Sequence, residues 1–206
     1  MGILNTYPYA SIALRAKTHR RLAVVGITHS QTCLVLRGRI CALREAGFEV
    51  VLISSPGIFL DQLALEEGAE KWAIPMHRGI SPLSDVVALF RLVRALHALR
   101  PDIAEFSTPK AGLLGSLAAF LCGVPTRLYM LRGLRLETAT GLRRFLLLFT
   151  ERIAAACSHL VVCNSESLRR AGRAACALLR SASFASSAVA AATASMWCDS
   201  LRESMR

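Results

Sequence analysis

Between Leu22 and Cys163 the chain alternates short apolar runs with longer stretches whose apolar residues recur at helical spacing. Leu22-Ala-Val-Val-Gly-Ile-Thr28 has the length and branched residues of a buried strand. Leu34 to Ala46 then carries Leu36, Ile40 and Leu43 at helical spacing, with Gly47 placed to end the turn. The pattern repeats. Strands are predicted at Phe48 to Ser54, Trp72 to Met76, Ile103 to Thr108, Arg127 to Leu131 and Leu160 to Cys163. Helices are predicted at Phe59 to Glu67, Leu83 to Leu99, Ala111 to Leu121 and Gly141 to Ala156, with Gly68, Arg100-Pro101 and Gly123-Val-Pro125 as stops. Such alternation builds βαβ units with right-handed crossovers. The expected fold is therefore α/β: a Rossmann-like, doubly wound parallel sheet of about six strands in three layers. Residues 22–170 form that domain, after an extension at 1–21 and before a tail at 171–206.

Ligands of such sheets bind beyond the carboxyl ends of the strands. The loops of interest are thus 28–37, 54–58, 76–82, 107–112, 131–140 and 164–168. They exclude several chemistries. The first strand-to-helix turn, Gly26-Ile-Thr-His-Ser-Gln-Thr-Cys33, lacks G-x-G-x-x-G, which disfavours a nicotinamide-dependent oxidoreductase. There is no P-loop and no G-x-S-x-G elbow. The seven cysteines form no C-x-x-C pair and no ligand spacing with histidine, so they read as buried free thiols of a reducing compartment. No metal and no cofactor are expected. No uncharged apolar run approaches the roughly 18 residues of a spanning helix, and Arg15, Lys17, Arg20 and Arg21 disrupt any signal peptide at the start. The expected compartment is the cytoplasm.

Charge narrows the partners. The net charge is +11, of which +9 falls on residues 1–170, with 21 basic against 12 acidic groups. Such a domain suits nucleotide phosphates or an anionic membrane surface, or carries a plain solvated surface. Nucleic acid is not expected, because the basic residues are not interleaved with aromatics.

The loops also carry distinctive blocks. Leu36-Arg-Gly-Arg-Ile-Cys-Ala-Leu-Arg-Glu-Ala-Gly-Phe-Glu-Val50 is followed by Ser54-Ser-Pro-Gly57, then Ile80-Ser-Pro-Leu-Ser-Asp85. Arg100-Pro-Asp-Ile103 leads into Ser107-Thr-Pro-Lys-Ala-Gly-Leu-Leu-Gly115. Leu131-Arg-Gly-Leu-Arg-Leu-Glu-Thr-Ala-Thr-Gly141 and Cys163-Asn-Ser-Glu-Ser-Leu-Arg-Arg170 complete the series. In order and content these blocks resemble the N-terminal, acceptor-side domain of family-4 glycosyltransferases of the two-domain GT-B fold. Bacterial transferases that build polysaccharides on lipid carriers are the most similar. The resemblance implies transfer of a sugar from a nucleoside-diphosphate sugar to an acceptor hydroxyl, on a carbohydrate or lipid-linked acceptor, with no metal in the site. It also implies a C-terminal partner domain that holds the nucleotide and a pair of glutamates, and nothing in this sequence matches that domain.

Candidate residues follow from the loops. Thr28, His29 and Ser30 open the first helix, whose N-terminus would offer N–H groups to the donor diphosphate. His29 is either a base or a polar loop residue. Thr108 and Lys110 sit where the fourth strand meets its helix, and Lys110 either neutralises an acceptor phosphate or is merely solvated. Arg132 and Gly133 close the fifth strand, and a guanidinium there suits bidentate phosphate or carboxylate binding. Glu137 accepts from sugar hydroxyls, or starts the next helix favourably. Many relatives have a histidine near the end of the fourth strand, where this chain has Glu105-Phe106-Ser107, so catalytic residues are not assigned. The run Phe145-Leu-Leu-Leu-Phe149 with Arg143, Arg144 and Arg152 either packs in the core or rests on the inner face of the plasma membrane.

After Arg170 the character changes to Ala, Ser, Arg and Cys without alternation. A tail of this size cannot replace a domain of roughly 100–200 residues. Read from the third base of each codon, Ala188 through Trp197 permits Ser-Gly-Ser-Ser-Asn-Gly-Ile-Asp-Val-Val, which resembles the Asn-Gly-Val-Asp block opening the nucleotide-binding half of the family. A frameshift near Arg170 is therefore expected, leaving a chain inactive alone. The alternative is a stand-alone module binding a nucleotide or lipid-linked phosphate without chemistry.

Overall fold

The computed structural model describes residues 21–77, 79, 81–133, 140–176 and 183–186. It contains one parallel sheet of seven strands in the order β3-β2-β1-β4-β5-β6-β7. The strands are β1 (Leu22–Gly26), β2 (Glu49–Ser54), β3 (Glu70–Ala73), β4 (Ile103–Ser107), β5 (Thr126–Leu131), β6 (Leu160–Cys163) and β7 (Ser183–Ser186). Helices α1 (Arg39–Glu45) and α2 (Ile58–Glu66) cover one face. Helices α3 (Pro82–Leu99), α4 (Pro109–Leu121), α5 (Gly141–Ala156) and α6 (Glu166–Ala175) cover the other. The three-layer, Rossmann-like expectation is met, with one strand more than the six predicted. That strand, β7, lies in the stretch that sequence alone left irregular. It pairs in register with β6, Val161 opposite Phe184.

Alternation along each strand sorts the core. Val24, Val51, Ile53, Ala104 and Phe106 point toward Leu92, Leu96, Ala111 and Ala118 of α3 and α4. Val25, Ile27, Val50 and Leu52 point toward Ile40, Leu60 and Leu63 of α1 and α2. Tyr129, Leu131, Val161 and Cys163 meet Ala154 and Ala155 of α5. Phe106 sets the closest approach in the domain. A Cβ placed on Gly26 or on Gly115 would fall inside its ring, so β1, β4 and α4 meet where only glycine leaves room. Of the cysteines in the described residues, Cys33, Cys157, Cys163 and Cys176 are buried, Cys122 half-buried and Cys41 exposed, all as free thiols.

Three segments depart from their expected form. The helix expected from Leu34 to Ala46 is a 3-10 helix, Ser30–Leu36, followed by the short α1. Gly38 separates the two at φ 75°, a left-handed conformation that a helix cannot pass through. The carboxylate of Glu67 accepts from the N–H groups of Gly38 (2.6 Å) and Cys41 (2.9 Å) and so caps α1 from the end of α2. Strand β3 comes two residues earlier than predicted. Its alternating half-buried and exposed residues mark an edge strand rather than the apolar run read at Trp72 to Met76.

Two buried carboxyls matter to stability. Glu105 on β4 is 2% exposed and faces the α1 side, in register with Val25. Arg39, the first residue of α1, grips it. Nε donates to both carboxylate oxygens at 2.8 and 2.9 Å, and Nη2 donates to Oε2 at 2.6 Å. On the other face, Tyr129 donates its hydroxyl to Glu151 Oε2 at 2.8 Å. Burial raises the Glu151 carboxyl from the usual carboxylate range to about 7, and the Tyr129 hydroxyl pulls only partly against that rise.

Each carboxyl yields a prediction. Arg39→Ala leaves a charge buried without a partner and should cost about 2–4 kcal/mol by urea denaturation, less than for a fully enclosed pair because Arg39 is itself 38% exposed. Arg39→Met with Glu105→Leu should recover most of that loss. For Glu151 the folded state holds its proton to higher pH than the unfolded chain. Stability should therefore fall as pH rises from the unfolded carboxyl value of 4.5 toward 7, then level off. Glu151→Gln should flatten that slope and gain roughly 2–3 kcal/mol at pH 8, measured by chemical unfolding across the pH range.

Candidate functional site

The strand order reverses between β1 and β4, because β2 and β3 extend to one side of β1 while β4 lies on the other. In open α/β sheets ligands bind beyond the carboxyl ends of the strands at such a reversal, and the crevice expected there is the candidate site. The sequence-predicted residues Thr28 and Thr108 meet in it, their hydroxyls 2.6 Å apart. Thr28 Oγ1 also accepts from the Ala111 N–H at 3.1 Å, so a side chain from the β1 loop caps α4. Thr108 holds φ 76° and ψ 148°, a conformation a β-branched residue seldom adopts. The strain sits at the mouth of the crevice, where the Thr28 contact and the start of α4 hold it in place.

The rest of the first loop is spoken for from within. Ser55 Oγ lies 2.7 Å from the Thr28 carbonyl and 2.8 Å from that of Met76, and accepts the Met76 N–H at 2.8 Å. Ser30 is buried against Gly57. His29 is half-buried and caps the 3-10 helix, its Nδ1 accepting weakly from the Gln31 N–H at 3.4 Å. A 3-10 helix that begins at Ser30, rather than the α-helix expected from sequence, follows Thr28 and His29.

Lys110 is tethered. Its Nζ donates to Asp85 Oδ1 at 2.7 Å and to the Gly79 carbonyl, tying the approach to α3 onto the start of α4. The pair is largely covered, with side chains 15% and 22% exposed.

Arg132 differs. It leaves β5 half-buried, and its Nε is enclosed without a hydrogen-bond partner among the described residues. Burial holds its guanidinium below the ordinary arginine value, the Glu105 carboxylate pulls it back up, and Arg39 pushes it further down. Arg132 therefore shares a neighbourhood with the Arg39–Glu105 pair. Ser107 on β4 is fully buried, and its hydroxyl also lacks a partner among the described residues. The edge thus sets two guanidiniums against one carboxylate, with two donors still unmatched. That composition suits an anion with several acceptor oxygens. Sequence reasoning reached Arg132 but missed Arg39 and the role of Glu105. A charged residue inside the apolar run Ile103-Ala-Glu-Phe-Ser107 was the available signal, because a buried carboxylate requires a partner. Gly133 is exposed beside Arg132, and Glu137 lies outside the described residues. Among the described residues no group of His, Cys, Asp and Glu is arranged to hold a metal ion, and no helix is long and apolar enough to cross a membrane.

Residues 34–176 match the model of the glycosyl transferase 4-like domain. Over 143 residues, 69% of this chain, the sequence is 39% identical to the capsular polysaccharide biosynthesis glycosyltransferase CapM of Staphylococcus aureus. The chain spans 37% of the length of that relative. Among solved structures the fold resembles MnaA of S. aureus, solved with UDP, at TM-score 0.60 and 14% identity over 79% of this chain and 44% of that one. It also resembles Anabaena HepE in complex with UDP, at TM-score 0.54 and 14% identity over 79% and 43% of the two chains. At such identities the likeness is one of fold. The sequence match covers well over half of the chain, which therefore belongs to the glycosyl transferase 4-like family and has the Rossmann-like architecture of the N-terminal domain of GT-B glycosyltransferases.

Proposed function

We propose that these residues form the acceptor-side half of a transferase that moves a sugar from a nucleoside-diphosphate sugar to a hydroxyl on a polysaccharide or lipid-linked acceptor. The single observation that carries this reading is Arg132, a half-buried guanidinium with an unmatched Nε at the carboxyl edge of the sheet. Family membership and the UDP in two solved structural neighbours support it.

In this reading Arg132 takes the phosphate of a lipid-linked acceptor as a bidentate partner, with Ser107 donating from the strand beside it. The Arg39–Glu105 pair keeps the local charge at one net positive, so binding one anionic oxygen pair neutralises the edge. Thr28 and Thr108 place the start of α4, while His29 lines the entry used by the donor diphosphate. Gly133 lets the acceptor pass close to the backbone, and Glu137 is proposed to meet sugar hydroxyls. Lys110 acts by holding the loop before α3. The protein works in the cytoplasm, peripheral to the inner face of the membrane that carries its acceptor. The nucleotide is held chiefly by a second domain, and transfer depends on positioning both substrates across the cleft. Accordingly these 206 residues alone should be inactive.

Two measurements test this. The purified chain with a UDP-sugar and a prenyl phosphate should give no transfer above background, and fusion to the C-terminal domain of CapM should give turnover. Robust transfer by the unfused chain would overturn the division of labour. In calorimetry with farnesyl phosphate, Arg132→Gln should weaken binding by about tenfold or more, since a charge-assisted hydrogen bond contributes roughly 1.5–3 kcal/mol. Arg132→Lys should recover part of it. Equal binding by all three proteins would remove Arg132 from the site.

A further inference from the structure

Paired residues of neighbouring strands point to the same face of a sheet. Glu105 stands opposite Val25, whose side chain packs with those of α1 and α2, so it faces the α1 side. Ser107, two residues further along β4, shares that face, with Met130 of β5 opposite. Arg132 follows two residues after Met130, and its guanidinium lies within the field of both Glu105 and Arg39. Two strand ends and the first turn of α1 thus gather four polar side chains on one face of the carboxyl edge.

Glu105 sets the charge of this cluster. Three hydrogen bonds from Arg39 hold it as a carboxylate and cancel the charge of that arginine. Other charges of the adjoining loops are paired among themselves, Lys110 with Asp85 and Arg37 with Glu66. Among the described residues the cluster therefore offers one positive charge, at Arg132, beside the buried hydroxyl of Ser107.

We infer that Glu105 is a specificity-determining residue: by neutralising Arg39 it restricts the Arg132 subsite to a phosphoryl group with a single negative charge. The inference rests on the acceptor reading above and narrows it to a diester, in which both ends of the phosphate are substituted. A terminal phosphate is close to doubly charged at neutral pH, because its second ionisation lies near pH 6. One guanidinium neutralises one of those charges. The other would lie partly desolvated within the field of the Glu105 carboxylate, where a second anion is unfavourable. Such a ligand enters only after taking up a proton from solvent, whereas a diester enters as it is.

The test titrates the whole 206-residue chain with farnesyl phosphate and with its methyl ester at pH 7.5. The probes share the prenyl chain and differ in whether the headgroup can carry a second charge. The ester should bind about five- to thirtyfold more tightly, the upper bound being set by protonation of the free phosphate. Calorimetry in buffers of unlike ionisation enthalpy should show uptake of close to one proton with farnesyl phosphate and none with the ester. Glu105→Gln adds one positive charge, and it should bring the two affinities within about twofold and abolish the proton uptake. Glu105→Asp keeps the charge and should keep the preference. Damage to packing in either variant lowers both affinities and leaves their ratio alone. Should neither variant fold, the ratio and the proton uptake of the parent decide the question. Equal affinities in the parent without proton uptake overturn the inference, as does the parent's ratio in a folded Glu105→Gln. Arg132→Gln judges the acceptor reading separately: it should weaken both probes, and parent-like binding of both would strike that reading. Displacement of the ester by UDP-glucose at equal concentration would likewise strike it, by moving the subsite to the donor.

Discussion

The ion pair between Arg39 and Glu105 is the contact around which the carboxyl edge of this sheet is arranged. A carboxylate in the middle of a parallel strand is costly to bury, and three hydrogen bonds from one guanidinium make it tolerable. The pairing brings the first turn of α1 across to β4, past β1. It also leaves Arg132 beside a carboxylate already engaged by another guanidinium. Without Glu105 the two arginines would repel each other, and without Arg39 the carboxylate would consume Arg132. The balance engages one arginine fully in the structure and leaves the other with an unmatched Nε among the described residues.

A second set of contacts holds the loops of the crevice as one body. The hydroxyl of Thr28 caps α4, the hydroxyl of Ser55 joins the turns after β1 and β3, and Lys110 ties the approach to α3 onto α4. Each link crosses between segments far apart in the chain. The backbone strain at Thr108 is held in place by this web. Phe106, with glycine on either side of it, keeps β1 and α4 close enough for the Thr28 cap to reach.

Much of this was legible in the sequence, and the exceptions have physical causes. The long apolar periodicities of α3 and α5 place those helices within a residue of where they lie, because burial of one stripe leaves few alternatives. The segment after β1 misled: helical spacing at Leu36, Ile40 and Leu43 is real, but Gly38 turns left-handed between two short pieces. Strand β7 has little β-branched character, and its conformation comes from pairing with β6. At the site, Arg132 and Thr108 were visible because they stand at strand ends. Arg39 was not, since its partner is 66 residues away and local pattern carries no record of so distant a pairing.

One consequence of the parallel sheet concerns orientation. Helices α3, α4, α5 and α6 all begin at the same edge, so their peptide dipoles add rather than cancel, each presenting roughly half a positive charge there. The guanidiniums of Arg39 and Arg132 lie at that edge as well. The molecule is electrically polar along the strand direction in addition to carrying net charge. Close to an anionic surface, within a Debye length of about 8–10 Å, such a body experiences a torque as well as an attraction. Chain direction in the sheet is thereby converted into a preferred heading in space, with the crevice leading.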